Sequence, residues 1–368
     1  MNSALLNADY APLPNLSEPR WWTGTPALSL DLFTIDGNEF RVEGAPLEPS
    51  EALSERMQKT FDDVGLVHVI NTGLDELQSM RVIATQVIKT QRKYEGGANP
   101  RKSIGPNVYE VGAPLEAWLH YHHEMAYIGS STTMLGFLCH KMPSEGGYTY
   151  VSDNIQATNA ILATPFGQKL KELGICYHRN LTDRSAFAGV PEIGVYNHWQ
   201  QSMMTEDPDE AIAEARKRGL DAEWGYNGLL KTRYTVSAFE YFPQLDRNLL
   251  YSSMADDGAW FDTWPMVQHV PINDRPLKMT FGDGSEMTHD EKQLFLDVYD
   301  DYGIPIAWKV GDVGLICNYR FAHGRPAVHL KEGEDRELGV LIGDAFDRLE
   351  ASDDKWSVAD TDRPVSAF

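Results

Sequence analysis

The sequence has few cysteines and lacks the apolar runs and basic clusters that mark several classes of protein. Its 368 residues include three cysteines and no CxxC pair, so neither a disulfide framework nor a zinc finger is expected. No apolar run approaches the roughly 20 residues that span a bilayer. The N-terminus has no basic segment followed by a long apolar one, which predicts no signal peptide and a cytoplasmic protein.

An excess of acidic residues restricts the partners further. The formal net charge is −22, and a surface of that sign repels both phosphate backbones and anionic lipids. We therefore expect a small-molecule substrate rather than nucleic acid or a membrane, and the composition is compatible with a homo-oligomer. With 42% hydrophobic and 23% charged residues, the chain is typical of a globular domain.

The spacing of histidines and one carboxylate offers a candidate metal site. His122 and Glu124 lie two residues apart, and on a β-strand both side chains would point to the same face. A third ligand must come from elsewhere, and His323 is the best donor. Two histidines and a carboxylate around one metal are typical of non-haem Fe(II) oxygenases. His120 shares the predicted face, so it is a rival ligand or a group that orients one.

Two further features suggest a place for a carboxylate ligand. Gly146 and Gly147 allow a close backbone approach, and Thr149 then supplies a hydroxyl donor. Arg336 follows on what should be the next antiparallel strand, from which it could point back into the same cavity. A permanently charged guanidinium is well suited to bind a carboxylate. Taken alone, the glycines fit a plain hairpin turn, and Arg336 fits a surface salt bridge.

Apolar periodicity and turn residues predict the elements around these side chains. Helices are expected over residues 51–63, 74–92, 154–173, 208–218 and 289–302, strands over 66–70, 134–141 and 148–151, a strand pair over 308–318 and a hairpin-like segment over 33–42. The candidate ligands lie on both sides of residues 174–270, which are therefore predicted to be an insert or lid. The chain 1–368 is predicted to be a single domain, with an irregular arm over 1–46 and a polar tail over 351–368.

In this order, the motifs resemble those of the taurine dioxygenase-like (TauD/TfdA) family of Fe(II)/2-oxoglutarate oxygenases, which includes γ-butyrobetaine hydroxylase and clavaminate synthase. The family pattern is HxD/E, a GGxT turn, a distal His and an Arg shortly after it. Here it reads His122-x-Glu124, Gly-Gly-x-Thr149, His323 and Arg336. The resemblance runs from about residue 61 to residue 349.

The resemblance implies a mainly β chain with flanking helices, of the α+β class, built on a double-stranded β-helix or jelly roll. It implies Fe(II) on His122, Glu124 and His323, with 2-oxoglutarate held by Arg336 and Thr149. It also implies that 2-oxoglutarate and O2 become succinate and CO2 while an unactivated C–H bond is oxidised. Halogenating relatives have a small residue in place of the carboxylate ligand, so hydroxylation, desaturation or radical cyclisation is favoured here.

The substrate is expected to be a small, amino-acid-derived molecule of secondary metabolism. Val340 stands where sulfonate-using relatives have a second arginine, which argues against taurine. Aromatic residues within 174–270 could instead cage a quaternary ammonium, as a betaine hydroxylase of the γ-butyrobetaine kind needs. Candidates for binding substrate or orienting the ligands are Arg325, Asn107, Tyr109, His120, Arg320 and Trp260. Basic residues that could hold substrate carboxylates are Arg101, Lys102, Arg233, Arg320 and Arg325.

Two alternatives from other classes stay open on the sequence. A zinc hydrolase would use His120, His122 and Glu124, but it would give Arg336 no role. A jelly roll could also serve as a binding module without catalysis. Metal analysis combined with an assay of 2-oxoglutarate consumption separates these alternatives from the oxygenase.

Overall fold

A computed structural model describes residues 27–94, 101–185, 196–254 and 270–356 of the chain. Trp260, the first part of the predicted arm and the end of the predicted tail lie outside these residues. The helices are α1 (Glu51–Val64), α2 (Leu77–Ala84), α3 (Asn154–Leu162), α4 (Pro165–Leu173), α5 (Trp199–Met203), α6 (Pro208–Lys217) and α7 (His289–Asp301). The first ten strands are β1 (Thr34–Asp36), β2 (Leu66–Ile70), β3 (Ser103–Gly105), β4 (Val108–Tyr109), β5 (Leu119–His122), β6 (Ser130–Thr132), β7 (Met134–Lys141), β8 (Thr149–Asp153), β9 (Ile175–Leu181) and β10 (Asp221–Trp224). The remaining strands are β11 (Leu230–Val236), β12 (Phe239–Phe242), β13 (Arg247–Leu250), β14 (Leu277–Phe281), β15 (Gly303–Ile306), β16 (Val313–Cys317), β17 (Phe321–Arg325), β18 (Glu337–Ile342) and β19 (Ala345–Asp347).

Two facing sheets form the centre of the fold. The larger is seven-stranded in the order β1-β2-β16-β7-β18-β4-β3, and the smaller is four-stranded in the order β15-β8-β17-β5. From β15 to β18 the chain alternates between them, each strand lying in the sheet opposite the one before. This alternation is the strand arrangement of a jelly roll, and it confirms the mainly β prediction.

Apolar side chains from both sheets meet in one buried cluster. The larger sheet contributes Leu135, Phe137, Ile316 and Leu338, and the smaller contributes Val151, Ile304 and Phe321. Side chains alternate between the two faces of a strand, so each sheet has an outer face as well. On the larger sheet, α1 and α2 cover it through Leu53, Met57, Met80 and Ile83, which pack with Val67 and Leu315.

Between β8 and β15 the chain leaves the two sheets. It forms α3 and α4, then a separate four-stranded sheet in the order β10-β11-β9-β14, and it returns through α7. Apolar residues of this segment pack on the outer face of the smaller sheet, where Tyr121, Tyr150 and Ala322 meet Phe281 and Phe295. The segment therefore extends beyond the predicted 174–270 at both ends, and its role as a lid stays a prediction.

Local signals placed several element ends correctly. Ser50 accepts a hydrogen bond from the backbone N–H of Leu53 at the start of α1, and Gly65 ends the helix in the left-handed region. Thr288 and Glu291 form the predicted capping box of α7. The strands over 66–70 and 134–141 are confirmed residue for residue.

Other predicted elements were wrong for identifiable reasons. The helix expected over 154–173 is two helices, because Pro165 cannot continue the first one and begins the second. The helix expected over 74–92 shortens to α2, with the following Val87 and Ile88 buried on the larger sheet. The hairpin over 33–42 is absent among the described residues, since β1 pairs in parallel with β2. The pair over 308–318 is the single strand β16.

Candidate active site

Two strands of the smaller sheet bring two histidines together. His323 lies at the centre of β17, and its Cα partner in the antiparallel strand β5 is His122. The ring centroids are 4.3 Å apart. A side chain at Gly324 would collide with the carbonyl of Leu119 and the ring of Tyr150, so only glycine lets β17 approach both neighbours this closely.

Glu124 reaches the same place from a turn rather than from a strand. β5 ends at His122, and Met125 has a φ of 60°, in the left-handed region. The chain therefore bends directly after Glu124, and the predicted strand geometry of the His-x-Glu pair was wrong. Glu124 Oε2 nevertheless lies 3.9 Å from His323 Nε2. One donor atom from each of His122, Glu124 and His323 lies within 4.8 Å of the others, and all three residues are buried.

The turn is held by the buried side chain of Asn318, directly after β16. Its Oδ1 accepts from the backbone N–H of Glu124 at 2.8 Å, and its Nδ2 donates to the carbonyl of Glu124 at 3.1 Å. Ser131 and Tyr251 donate to the same carbonyl at 3.0 and 3.2 Å. These four hydrogen bonds fix the backbone of Glu124 and therefore the point from which its side chain extends. Partners of this kind commonly support metal ligands.

The hydrogen bonding and burial of the two histidines suit metal binding. His122 Nδ1 lies 2.8 Å from the carbonyl of His120, which can only accept a hydrogen bond, so Nδ1 donates and Nε2 is the ring nitrogen left to face a metal. Burial, and then repulsion from His122, holds the pKa of His323 well below its usual range. A neutral imidazole is the form that binds metals. Two such nitrogens and a carboxylate oxygen are a donor set that accepts Fe(II).

Arg101 contacts the candidate ligand Glu124 directly. Its Nη2 lies 2.9 Å from both carboxylate oxygens, and its guanidinium carbon lies 4.4 Å from the centre of the Tyr94 ring. Burial alone would lower the pKa of Arg101, but the carboxylate of Glu124 raises it above the usual arginine value. The guanidinium is therefore charged, and its position is fixed on two sides.

Arg336 and Thr149 lie at the rim of the same cavity. Arg336 immediately precedes β18, and its Nε and Nη2 donate to the carbonyl of Gly147 at 3.3 Å. Gly147 has a φ of 78°, which only glycine adopts without strain. Thr149 accepts a 2.8 Å hydrogen bond from Trp308 Nε1, which leaves its own hydroxyl hydrogen to donate elsewhere. Both side chains were predicted to lie in one cavity, although β18 pairs with β7 of the larger sheet and not with β17.

Arg336 is a buried cation that pairs with no carboxylate among the described residues. Its residue is 7% exposed, and burial lowers its pKa to about 10, so it stays charged at neutral pH. Burying a charge without a partner costs roughly several kcal/mol of folding free energy. A ligand carboxylate would be a partner of the right kind for this position.

Arg325 is held differently from Arg336. Its Nη1 and Nη2 donate to five backbone carbonyls, those of Ala113, Pro114, Leu115, Ala117 and Pro326. Burial, followed by repulsion from Arg336, lowers the pKa of Arg325 to about 9. With its two amino groups already engaged, this side chain holds residues 113–117 against β17.

These residues line one cavity, in a space of about 420 Å³ that includes its open mouth. Its walls are formed by Arg101, Val111, Leu119, His122, Glu124, Phe137, Thr149, His323, Gly324, Arg325, Arg336, Leu338 and Val340.

Several predicted candidates lie away from this cavity. His120 stacks on Trp118 at 5.7 Å, and it is not part of the cluster of potential metal donors. Arg320 donates to the carbonyl of Asp63 near the end of α1, and its predicted contact with substrate stays a prediction. Asn107 turns the chain between β3 and β4 with a φ of 56°. The centre of the Tyr109 ring lies 6.0 Å from that of Tyr94.

The two supporting residues Asn318 and Trp308 were not assigned a role from the sequence. Asn318 forms hydrogen bonds with Glu124, and Trp308 forms one with Thr149. Each pair is far apart in the chain, and no sequence motif links its two members. Arg101 was considered for binding a substrate carboxylate, but its ion pair with Glu124 was not foreseen. The basic pair Arg101-Lys102, four residues after two glycines in an acidic chain, was the available signal for it.

Comparison with known proteins identifies the family. Residues 38–341 match the family model described as "Taurine catabolism dioxygenase TauD, TfdA family". The chain is 28% identical over 317 residues to the "Clavaminate synthase-like protein At3g21360" of Arabidopsis thaliana, with 84% of this chain and 88% of that protein covered. A solved taurine dioxygenase from Burkholderia xenovorans is 13% identical, with 87% of this chain and 92% of that chain covered and a TM-score of 0.46.

The chain belongs to the TauD/TfdA family, because the family model matches most of its length. It is accordingly a dioxygenase that depends on Fe(II) and 2-oxoglutarate, and the structure provides a His-Glu-His cluster suited to the metal. Within the described residues, no helix has the length and apolarity to span a bilayer.

Proposed function

We propose that this dioxygenase binds Fe(II) through His122, Glu124 and His323 and 2-oxoglutarate through Arg336 and Thr149, and that it oxidises an unactivated C–H bond of a small, amino-acid-derived metabolite. The supporting observation is that one cavity is lined by three metal donors within 4.8 Å of one another and by the buried Arg336, which has no carboxylate partner among the described residues. The products would be succinate, CO2 and a hydroxylated, desaturated or cyclised substrate. The whole chain 1–368 would act as a single oxygenase domain.

The protein's own residues have distinct tasks in this proposal. Bound iron and 2-oxoglutarate supply the oxidising chemistry. Asn318 fixes the peptide that bears Glu124, and the His120 carbonyl fixes the proton on His122 Nδ1. Trp308 orients the Thr149 hydroxyl, so that it and Arg336 can bind the far carboxylate of 2-oxoglutarate. Phe137, Leu338 and Val340 exclude water from the cavity wall.

The carboxylate of Glu124 bears on the type of reaction. A chloride ion would need the metal position that Glu124 occupies in this proposal. We therefore expect hydroxylation, desaturation or radical cyclisation, with residues within 174–270 setting how far the substrate carbon lies from the metal. The betaine alternative needs a cage of aromatic residues. Among the described residues that line the cavity, Phe137 is the one Phe, Tyr or Trp.

Metal and co-substrate binding test this proposal directly. Protein purified without oxygen should bind one Fe(II) per chain, and addition of 2-oxoglutarate should produce a weak visible charge-transfer band. His122→Gln should abolish both, whereas His120→Gln, a neighbouring buried histidine outside the metal cluster, should retain both. Tight zinc binding without such a band would favour the hydrolase. A metabolite panel scored by 2-oxoglutarate consumption would then identify the substrate.

A further inference from the structure

We infer that Gly314 and His68 are positioning residues for the co-substrate. They fix the indole of Trp308, which in turn orients the hydroxyl of Thr149. This inference rests on the proposed function, in which Thr149 binds 2-oxoglutarate. The carrying observation is that the indole lies against Gly314 of the larger sheet and donates to Thr149 of the smaller one. Trp308 is not among the described residues that line the cavity, so its effect on a ligand would pass through Thr149.

One row of residues across the larger sheet is interrupted by a glycine. Gly314 on β16 has His68 of β2 as its Cα partner on one side and Phe137 of β7 on the other. Residues paired in this way point to the same face of a sheet. Phe137 lines the cavity, so the row belongs to the face that is turned toward the smaller sheet. Because Gly314 has no side chain, the row is open between a histidine ring and a phenylalanine ring.

The indole of Trp308 occupies this opening. A Cβ atom at Gly314 would lie 2.9 Å from Cζ3 of the indole and closer still to Cη2. The indole centroid lies 5.0 Å from that of His68, at an interplanar angle of 74°, and 6.0 Å from that of Phe137. Glycine within a strand permits such a close approach. Any side chain at position 314 would therefore have to displace the indole.

Asp312 holds the turn between Trp308 and β16. Its Oδ2 accepts from the backbone N–H of Lys309 at 2.9 Å and from His68 Nε2 at 2.9 Å. Its own backbone N–H donates to the carbonyl of Lys309 at 2.9 Å. One buried carboxylate thus ties the residue after Trp308 to the histidine that packs against the indole. The indole is fixed both through its backbone and through its ring.

The fixed indole reaches across to the opposite sheet. Its Nε1 donates at 2.8 Å to the hydroxyl of Thr149 on β8, and Thr149 lines the cavity. A hydroxyl has one hydrogen and can accept as well as donate, so a donor on its oxygen leaves that hydrogen for a ligand. If the indole moved, the hydroxyl could turn away. Gly314 and His68 would therefore influence the co-substrate without contacting it.

The test is a set of substitutions read by the Kd for 2-oxoglutarate. Full-length protein loaded with Fe(II) is titrated without oxygen and followed by the charge-transfer band. Gly314→Ala and His68→Gln should each raise the Kd by roughly two- to tenfold, the worth of one neutral hydrogen bond or aromatic contact. Glutamine can still donate to Asp312 but places no ring against Trp308. The melting temperature and Fe(II) affinity are measured for each variant.

Gly339 on β18 supplies the matched control in the same sheet. A Cβ atom there would lie 2.7 Å from Cγ1 of Val108, so the site is similarly crowded. Its neighbours Leu338 and Val340 line the cavity, and side chains alternate along a strand, so position 339 faces away from it. Gly339→Ala should lower the melting temperature, as Gly314→Ala does, but should change the Kd by less than about twofold.

A double-mutant cycle separates positioning from a general loss of stability. Trp308→Phe removes the donor to Thr149, and its smaller ring leaves space beside position 314. In that background neither Gly314→Ala nor His68→Gln has an indole to displace. Each double variant should therefore have the Kd of Trp308→Phe alone, within about twofold, because residues that act through one contact are not additive.

The outcomes separate this inference from the proposed function. An unchanged Kd in Gly314→Ala, or in His68→Gln, would overturn it, and His68→Gln decides the matter if the glycine variant does not fold. So would effects that multiply with that of Trp308→Phe, or an equal rise in Kd for Gly339→Ala. An unaltered Kd in Trp308→Phe would also overturn it, while leaving the metal ligands and Arg336 in place. Wild-type protein that binds no Fe(II) or no 2-oxoglutarate would instead refute the proposed function, and this inference with it.

Discussion

Replacing Arg336 by alanine should weaken 2-oxoglutarate binding far more than it weakens the fold. The residue is 7% exposed, its protein partner is the single carbonyl of Gly147 at 3.3 Å, and it is not paired with an acid among the described residues. Truncation therefore removes few protein contacts but deletes a buried partner for the co-substrate. Loss of such a charged hydrogen-bonded contact costs about 2–5 kcal/mol, or roughly 30-fold to several thousand-fold in affinity.

The assay is an anaerobic titration of the Fe(II)-loaded protein with 2-oxoglutarate, followed by the charge-transfer band. Arg336→Ala should raise the Kd by the factor above, while the KM for the primary substrate should change much less. Arg336→Lys should give an intermediate Kd, because a lysine keeps the charge but cannot bind a carboxylate through two parallel bonds.

Arg325 supplies the matched control. It is also buried and lines the same cavity, but five backbone carbonyls occupy its amino groups. Arg325→Lys should therefore lower the melting temperature and should change the Kd for 2-oxoglutarate less than Arg336→Lys does. A change under about threefold for Arg336→Ala, with the larger effect in the Arg325 variant, would refute the assignment and move the co-substrate carboxylate to Arg325.

Three further predictions concern the residues around the metal. Glu124→Ala should abolish product formation in chloride-free buffer, and the wild-type enzyme should give no chlorinated product even in high chloride; a chlorine isotope pattern in its mass spectrum would contradict Glu124 as a ligand. Asn318→Ala leaves the buried backbone N–H of Glu124 without its partner, so the free energy of unfolding in urea should fall by about 1–3 kcal/mol; an unchanged denaturation midpoint would show that the turn is held without it. Trp308→Phe removes the donor to Thr149, and the Kd for 2-oxoglutarate should rise by roughly two- to tenfold, the worth of one neutral hydrogen bond; an unaltered Kd would separate Thr149 from the co-substrate.

Where a feature depends on neighbouring residues in the chain, the sequence was sufficient. The caps of α1 and α7 and the strand β7 follow from side chains within a few positions of each element. One failure is also local in origin: Pro165 breaks the helix expected over 154–173. The end of α2 depends on burial of the following residues against the larger sheet, which is a tertiary effect.

The sequence by itself determined the residue types of the candidate site and their order along the chain: a His-x-Glu pair, a glycine turn with Thr149, a distal His323 and Arg336. It did so because the chemistry of a metal and a dicarboxylate restricts which side chains can serve. Only the tertiary structure decided how Glu124 is presented, that Arg101 binds it and that Asn318 supports it. Those contacts join residues up to 194 positions apart, and no local pattern records a pairing that exists only once the sheets have closed.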